Sequence, residues 1–300
     1  MNRKKLLIVD VRLVAYQTYH KHLPFLTTLE IIAQETLKYV NPNRIIWAYD
    51  SPLGSVRRKE LYPAYKAHRK EKIKTTAEKN KLKAFNENYD KLEHILPYLG
   101  NFIHLDGYEA DDIANLFVDL TKDKYEVYML SSDKDWIYNI KNEHIKQIHF
   151  NRGLIDIYNV EKEYNIKPDN VLKVQALTGI AKENIKGVYK LGETRVYRWL
   201  NEGLTLDEII DQVEEFVKIG KYGMKLPDEF NSVREMYEFN YEILRPIELS
   251  DLTEEDKLLF LTQINRKEKI SKEDLELQIL KYYKKPYIFS NILSSFYKLK

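Results

Sequence analysis

Three acidic residues, Glu109, Asp111 and Asp112, fall within the stretch LDGYEADD at positions 105–112. Apolar residues with helical spacing follow from 113 to 120, so the cluster lies in the first turn of a predicted helix. One or two carboxylates there suffice to cap backbone N–H groups and to suit the helix dipole. Three repel one another unless a cation neutralises them, so a metal site is the competing interpretation.

Four more aspartates follow apolar runs that are typical of buried strands. The runs and the residues that close them are 6–9 with Asp10, 44–49 with Asp50, and 125–130 with Asp133 and Asp135. Each aspartate alone is usually a turn or cap residue. In an open parallel sheet, however, the carboxyl ends of the strands form the ligand-binding edge. Together with the acidic helix start, the pattern predicts a site for two hard divalent ions, Mg²⁺ by default and Mn²⁺ as a substitute.

The elements that must position these residues alternate between strand and helix. We predict strands at 6–9, 44–49, 102–105 and 125–130, and helices at 29–39 and 86–99. This alternation indicates an α/β fold with a central, mostly parallel sheet flanked by helices. From Leu204 onward the chain reads as helical, and its apolar, aromatic tail PYIFSNILSSFYKLK is expected to pack on the body. We predict an α/β core over 1–160 and a helical region over 161–300.

Composition favours a globular protein, with 44% hydrophobic and 31% charged residues and no cysteine among 300. The opening MNRKKLLIVD has a basic lead, but its apolar run is too short for a signal peptide or a membrane span. The absence of cysteine fits a reducing compartment. We therefore expect a cytoplasmic protein, in a host cytoplasm if the gene is phage-encoded, with no membrane partner.

A basic segment interrupts this composition between Arg57 and Lys83, where eleven Lys or Arg residues face three Glu. Such a run can be a solvated helix face. Beside an acidic remainder it also suggests a polyanion held over a metal-binding surface. The candidate phosphate contacts are Arg58, Lys66 and Arg69, and the candidate base-stacking residues are Tyr62 and Tyr65.

Paired divalent ions suit the attack of water on a phosphodiester. The sequence has no P-loop, GxGxxG or kinase signature, so nucleoside triphosphate chemistry has no support. The residues alone therefore favour hydrolysis of a nucleic-acid backbone.

The motifs resemble those of the 5′-nuclease superfamily, which includes flap endonucleases and the 5′→3′ exonuclease domains of bacterial DNA polymerases. The matching segments are LLIVD, WAYD, RRKELYPAYKAHR, GYEADDIA, SSDKDW and NIKGVYKLG, in the family's order over roughly residues 5–200. EFNSVREMYEFNYEILRPIELSD resembles the family's C-terminal helices. The strongest resemblance is to the phage-encoded members called ribonuclease H or 5′-exonuclease.

The resemblance implies roles for individual residues. By it, Asp10, Asp50, Glu109 and Asp111 hold a first metal ion, Asp133 and Asp135 a second, and Asp112 lies close to both. It makes Lys66 and Arg69 the catalytic cations at the base of a helical arch. That arch is formed by residues 70–85 within a basic segment at 57–97, and Lys70 is a DNA contact on it.

The resemblance also places a helix-hairpin-helix near 176–200, with the turn NIKGVYKLG at 184–192. From the residues alone, two glycines five residues apart between helical patterns favour a plain helical turn. The position of the segment after the acidic motifs makes the nucleic-acid interpretation the better one. In the family, backbone N–H groups of this turn grip a duplex phosphate, often with a potassium ion. Gly187, Lys190 and Gly192 would do so here, although Lys190 stands where a hairpin glycine is common.

The chain departs from the family in the run before this hairpin. The family's Gly-Asp-x-x-Asp-Asn is replaced by GIAKEN at 179–184. Ile180 cannot bind a metal, Glu183 still can, and Lys182 adds a positive charge. After the first aspartate, Val11-Arg12 replaces small residues. We therefore expect a complete first metal site, a weakened second site and a higher demand for Mg²⁺.

These observations predict a Mg²⁺-dependent, structure-specific 5′ nuclease that acts as a 5′→3′ exonuclease and flap endonuclease. Its partners would be branched, nicked or 5′-ended duplex DNA, RNA–DNA hybrids from which it could remove primers, and replication proteins, and it would act as a monomer. One alternative is a family member that binds junctions but has lost cleavage. Another is a PIN-type ribonuclease, which the length and the basic segment disfavour.

Overall fold

The computed structural model describes residues 3–20, 27–67, 75–266 and 272–283. The predicted catalytic Arg69, the predicted DNA contact Lys70 and the tail from residue 284 lie outside these ranges. Part of the predicted arch, residues 70–74, also lies outside them.

A six-stranded sheet forms the centre of the described chain. Its strands are β1 (Lys4–Asp10), β2 (Arg44–Ala48), β3 (Asn101–Ile103), β4 (Tyr125–Leu130), β5 (Ile145–His149) and β6 (Gly153–Ile155). They lie in the order β3-β2-β1-β4-β5-β6, and all pairs are parallel except β5 with β6. The four predicted strands are confirmed, and β5 and β6 are additions.

The strands follow from continuous apolar runs. Residues Leu6 to Val9 of β1 are at most 1% exposed, so both faces of this central strand are covered. Strands buried on both faces carry unbroken apolar sequence, as in LLIV. The strand ends where the chain turns polar at Asp10, and the first helix begins at the next residue.

Twelve α-helices lie within the described residues. In chain order they are α1 (Val11–His20), α2 (Thr27–Leu37), α3 (Val56–Leu61), α4 (Thr76–Leu92), α5 (Ala110–Thr121), α6 (Val160–Tyr164), α7 (Val171–Thr178), α8 (Glu193–Asn201), α9 (Leu206–Lys218), α10 (Val233–Leu244), α11 (Glu254–Asn265) and α12 (Lys272–Tyr283).

The helix predicted at 86–99 begins ten residues earlier, at Thr76. Thr75 and Glu78 form a reciprocal capping box, in which the Thr75 hydroxyl accepts from the Glu78 N–H and the Glu78 carboxylate accepts from the Thr75 N–H. The described part of the predicted arch, residues 75–85, is therefore mostly helix. A 3₁₀ turn at Leu96–Tyr98, with Pro97 inside it, replaces the predicted end.

The chain divides into two compact units rather than the two consecutive domains predicted. The first comprises Met1–Gly54, Lys74–Tyr158 and Ile247–Lys300, and the second comprises Ser55–Ile73 and Asn159–Pro246. The predicted boundary at 160/161 lies close to the division after Tyr158. The correction is that α11 and α12 belong with the sheet, because Phe260 packs edge-on against Phe117 of α5, and Leu275 and Ile279 join the core cluster of the sheet.

None of the helices in the described ranges combines the length and the continuous hydrophobicity that crossing a bilayer requires.

Candidate active site

The acidic cluster lies at the first turn of α5, where it both caps the helix and gathers carboxylates. Oxygen atoms of Glu109, Asp111 and Asp112 all lie within 4.8 Å of one another. Asp112 Oδ2 accepts from the Glu109 N–H at 3.1 Å, and Asp111 Oδ1 accepts from the Asp112 N–H at 2.8 Å. The two interpretations of this stretch are therefore compatible, because capping fixes the carboxylates that a cation would need.

Asp50 joins this cluster from the loop after β2. Its Oδ1 accepts a hydrogen bond from the N–H of Ala110, the first residue of α5, at 2.7 Å. Its Oδ2 lies 3.8 Å from Nε of Arg12. The sequence marked Arg12 only as a departure from small residues, and the structure makes it a direct neighbour of a predicted metal ligand.

Asp10 is the most buried aspartate at the end of a strand, with 7% exposure. Its Oδ1 accepts from the Leu13 N–H at 3.0 Å, and its Oδ2 accepts from the Ser131 hydroxyl at 2.9 Å. Burial, then the charge of Asp50, raise the pKa of Asp10 to about 7, with Asp133 adding to the effect. The cluster therefore holds more negative charge than the surrounding protein compensates.

Asp133 and Asp135 follow β4 and are held by local hydrogen bonds. Asp133 Oδ1 accepts from the Asp135 N–H at 3.1 Å, and the Asp133 N–H donates to the Ser131 hydroxyl oxygen at 3.1 Å. Gln147 Nε2 donates to the carbonyl oxygens of Ser131 and Asp133, both at 2.8 Å. Ser131 and Gln147 are thus supporting residues that the sequence analysis missed. The motif SSDKD was the available signal for Ser131.

The donors at this edge of the sheet fit a hard divalent cation. All are carboxylate oxygens, the ligand type that Mg²⁺ and Mn²⁺ prefer. Burial first, and then the charges of Asp50 and Asp133, raise the pKa of Asp10, and a cation would relieve the part that comes from these charges. Within the described residues, Glu109, Asp111 and Asp112 form the tightest such group.

In the second unit, Lys66 and Glu183 face each other. Lys66 Nζ lies 3.6 Å from Glu183 Oε1, and the Lys66 N–H donates to the Glu183 carbonyl at 2.8 Å. The Lys66 side chain also lies over the Tyr65 ring, with Nζ 4.7 Å from its centroid. Glu183 is 8% exposed. Its role as a metal ligand stays a prediction, and the structure gives its carboxylate a lysine as a neighbour.

Ile180, which the resemblance puts in the place of a family carboxylate, belongs to the core of the second unit. It packs in a buried cluster with Tyr65, Ile185 and Ile243. Tyr65 is only 3% exposed, so its ring is not available for base stacking as predicted.

Two other predicted DNA contacts of this segment are held by the second unit itself. Arg58 is 5% exposed, and its Nε donates to the carbonyl of Ile243 at 3.1 Å. Its guanidinium is therefore turned inward, which corrects the prediction of a phosphate contact. Tyr62 is half-buried, its hydroxyl donates to the Asn184 carbonyl at 3.1 Å, and its ring meets Phe239 edge-on.

The predicted hairpin region consists of α7, a two-residue antiparallel pair of strands, a loop and α8. The strands are β7 (Gly179–Ile180) and β8 (Ile185–Lys186). At Gly187 an added Cβ would lie 2.1 Å from the backbone carbon of Thr178, so only glycine allows this approach. Lys190 has a φ of 62°, the left-handed conformation that glycine adopts without strain.

The amino end of α8 is open. Gly192 is its N-cap, and a Cβ built there meets nothing within 4 Å. A groove beside this loop is lined in part by Lys186, Lys190 and Lys225. Unpaired N–H groups at a helix start, together with lysines, are the elements of an anion site.

Comparison with known proteins identifies relatives. A profile described as "5'-3' exonuclease, N-terminal resolvase-like domain" matches residues 5–173. The chain is 27% identical over 226 residues to a 5'-3' exonuclease of Mycoplasmopsis pulmonis, covering 73% of each. It is 30% identical over 186 residues to the flap endonuclease Xni of Tolumonas auensis, covering 61% of this chain and 68% of that protein. It spans about a quarter of the length of the DNA polymerase I relatives it matches.

The fold has a similar solved structure in the T5 D15 protein co-crystallised with metal ions. The TM-score is 0.66 at 21% identity, and the match covers 98% of this chain and 100% of that one. The similarity confirms the predicted fold class of a mostly parallel sheet flanked by helices.

Proposed function

Because this chain belongs to the 5′-3′ exonuclease family, in the 5′-nuclease superfamily, we propose that it is a Mg²⁺-dependent, structure-specific 5′ nuclease. It would hydrolyse phosphodiesters near the 5′ ends, nicks and branch points of duplex DNA, as an exonuclease and a flap endonuclease. The observation that carries the proposal is the group of carboxylates at the ends of β1, β2 and β4 and the start of α5. The names of the relatives support the same chemistry.

The cation ligands are proposed from that group. Asp10, Asp50, Glu109 and Asp111 would hold one Mg²⁺, Asp133 and Asp135 a second, and Asp112 would lie close to both. Bound Mg²⁺, or Mn²⁺ in its place, would activate water and neutralise charge on the phosphate and the leaving oxygen. The T5 D15 protein, which has a similar fold, was co-crystallised with metal ions, and this agrees with the proposal that the present chain binds a metal.

The chain's own groups orient these ligands. The Ser131 hydroxyl holds Oδ2 of Asp10, and the Ala110 N–H holds Oδ1 of Asp50. Gln147 fixes the backbone that carries Asp133. Because the metal-binding form of Asp10 is the ionised one, and its pKa is raised to about 7, cation binding releases a proton from this carboxyl below neutral pH.

Cations of the protein would contact the phosphate. We assign this role to Lys66 and to Arg69, the latter outside the described residues. A lysine ammonium near a transferring phosphate stabilises the charge that develops in the transition state. In the structure the ammonium of Lys66 lies near Glu183, so a phosphate would compete with that carboxylate for it. The products would be a 5′-phosphate and a 3′-hydroxyl.

The duplex would be held by the loop before α8. Backbone N–H groups from Gly187 to Gly192 and the side chain of Lys190 would bind phosphates of one strand, with a potassium ion at the same loop. Such contacts follow the shape and backbone of the duplex and not its base sequence. They would therefore accept RNA–DNA hybrids as well as DNA, which fits primer removal alongside replication proteins.

The test uses purified protein and DNA with a 5′ flap, with a blunt duplex and an RNA–DNA hybrid alongside, each over a Mg²⁺ titration. Asp133→Ala removes a proposed ligand, and Asp123→Ala removes an exposed aspartate outside the cluster. We expect cleavage near the junction with the unmodified protein and Asp123→Ala, and none with Asp133→Ala.

A second function is favoured by one region only. Ile180 stands in the core in place of one of the family's carboxylates, and the other, Glu183, already has Lys66 as a neighbour, so a weakened metal site is expected in a protein that binds junctions without cleaving them. Tight binding of flap DNA with no cleavage in either Mg²⁺ or Mn²⁺ would establish that function instead.

A further inference from the structure

Arg12 lies at the edge of the carboxylate cluster and is held there by three groups. Its Nε is 3.8 Å from Oδ2 of Asp50. Its guanidinium carbon lies 5.6 Å from the ring centroid of Phe85 and 5.2 Å from that of Tyr89. Both distances are within the range of cation–π attraction.

The aromatic support of Arg12 is buried. Phe85 and Tyr89 are one helical turn apart on α4 and are 1% and 2% exposed. Their rings are stacked with centroids 5.8 Å apart and an angle of 16° between planes. Because these rings are packed in the core, the guanidinium above them has a preset position beside Asp50. Its side chain is still 40% exposed, so solvent and ions reach it.

Both oxygens of Asp50 therefore have a positive neighbour before any metal binds. Oδ1 accepts from the Ala110 N–H, at the positive end of α5, and Oδ2 faces Arg12. A divalent cation that uses Asp50 must share the carboxylate with Arg12 and tolerate its charge. The same charge stabilises the crowded carboxylates while no metal is bound.

We propose that Arg12 is a positioning residue that holds Asp50 in the metal-free protein and lowers the affinity of the site for divalent cations. This inference rests on the proposed function, since it assumes that the carboxylates bind a metal. On this inference, the expected high demand for Mg²⁺ has two causes. One is the charge of Arg12 in the first unit, and the other is the missing carboxylate at Ile180.

The experiment measures Mn²⁺ and Mg²⁺ binding to DNA-free protein by calorimetric titration, and the Tm with and without metal. The variants are Arg12→Gln and Arg12→Lys. Lys146→Gln is the matched control, because Lys146 also pairs with a carboxylate, Glu126, and lies over a ring, Tyr128, near the amino ends of β4 and β5.

For Arg12→Gln we expect Mn²⁺ affinity to rise about fivefold to tenfold, the Tm without metal to fall, and the rise in Tm on adding metal to grow. Arg12→Lys should lie between it and the unmodified protein, because it keeps the charge without the planar group. Lys146→Gln should bind Mn²⁺ with unchanged affinity.

An unchanged or lower affinity in Arg12→Gln would overturn the role of Arg12 while leaving the nuclease proposal in place. Failure of both the unmodified protein and Arg12→Gln to bind Mn²⁺ would overturn the metal site, and with it the proposed function. If Arg12→Gln does not fold, the affinity of Arg12→Lys decides, and a value equal to that of the unmodified protein would overturn the inference.

Discussion

Two acidic regions that the sequence treated as parts of one metal centre differ in how their charge is balanced. In the first unit, Asp10 carries a pKa raised to about 7 by burial and by neighbouring aspartates. In the second, Glu183 lies 3.6 Å from the ammonium of Lys66, and Ile180, three residues earlier in the chain, is buried. The first region has surplus negative charge, whereas the second supplies its own cation.

The difference indicates which carboxylates a cation would stabilise most. A buried acid beside like charges is costly and is stabilised by an added cation. An acid already paired with a half-buried lysine, as Glu183 is with Lys66, gains less from an added cation, because its charge is compensated. The resemblance to the family could transfer the positions of the ligands to this chain but not the charge balance around each.

The largest effect is expected from Asp10→Asn, which keeps the hydrogen-bonding shape and removes the charge. Cleavage should fall on the order of 10³-fold, beyond the 10–100-fold typical of groups that only support a ligand. The measurement is the rate of flap cleavage by Asp10→Asn and by the unmodified protein, both at saturating Mg²⁺. Activity within tenfold of the unmodified protein would remove Asp10 from the metal ligands.

The same variant should change the pH dependence of stability in metal-free protein. The Asp10 pKa is about 7 when folded against 3.8 for the free group, so the folded state binds the proton more tightly. The stability that protonation of Asp10 contributes to the folded state is therefore full below about pH 4 and is lost as the pH rises to about 7. Asp10→Asn should be more stable than the unmodified protein at pH 8 in EDTA, with a flatter pH profile. A steeper loss with pH in the variant would contradict this sign.

Ile180→Asp restores the family's carboxylate and tests the second region directly. Because Ile180 is buried among Tyr65, Ile185 and Ile243, the change should lower the free energy of unfolding by about 3 kcal/mol. Ile180→Val, the apolar control, should cost about 1 kcal/mol in the same urea titration. Unchanged stability together with a lower Mg²⁺ requirement would instead place this position at a metal.

Glu183→Gln separates a metal ligand from a partner of Lys66. We expect the Mg²⁺ concentration for half-maximal cleavage to stay the same and stability to fall by about 1–2 kcal/mol, because Lys66 loses its counter-charge. Glu183→Asp has the family's side chain and is the informative companion. A lower Mg²⁺ requirement in Glu183→Asp, with a higher one in Glu183→Gln, would make Glu183 a metal ligand.

Lys190→Gly should change the stability of the protein least, and it should raise that stability, whereas Ile180→Asp and Glu183→Gln lower it. Its φ of 62° is strained for a side chain with a Cβ, so glycine should stabilise the protein by up to about 1 kcal/mol. Lys182→Gly, where φ is not positive, should destabilise it. If Lys190 also binds phosphate, Lys190→Gly will weaken duplex binding while raising the Tm.

Sequence patterns predicted the parts of the site that depend on residues close together in the chain. β4 was predicted with its observed bounds, and Asp10, Asp50 and Asp133 were placed at strand ends, because unbroken apolar runs identify buried strands. α1 was not predicted, although Asp10 caps its start by accepting from the Leu13 N–H. β7 and β8 are two residues long, too short for any periodicity to appear.

Contacts between residues distant in sequence could not be predicted. Glu183 meets Lys66, and Arg12 rests on Phe85 and Tyr89, only after folding joins separate segments. Tyr65 looked available for stacking because its neighbours are basic, yet the fold buries it. The composition of a segment indicates its average character, whereas the burial of one residue depends on the distant residues that pack against it.

The β3 edge of the sheet is covered by a helix that the ribosome synthesises late. β3 is an edge strand, and its continuation at His104 is covered by Gln263 of α11, which accepts from the His104 N–H at 3.1 Å and donates to its carbonyl at 2.9 Å. These partners are 159 residues apart. On the ribosome, the nascent sheet therefore keeps an open, pairing-competent edge until α11 emerges. A prematurely terminated chain would retain all seven carboxylates proposed as ligands in the first unit but would expose a strand to neighbouring polypeptides, so aggregation is its expected fate.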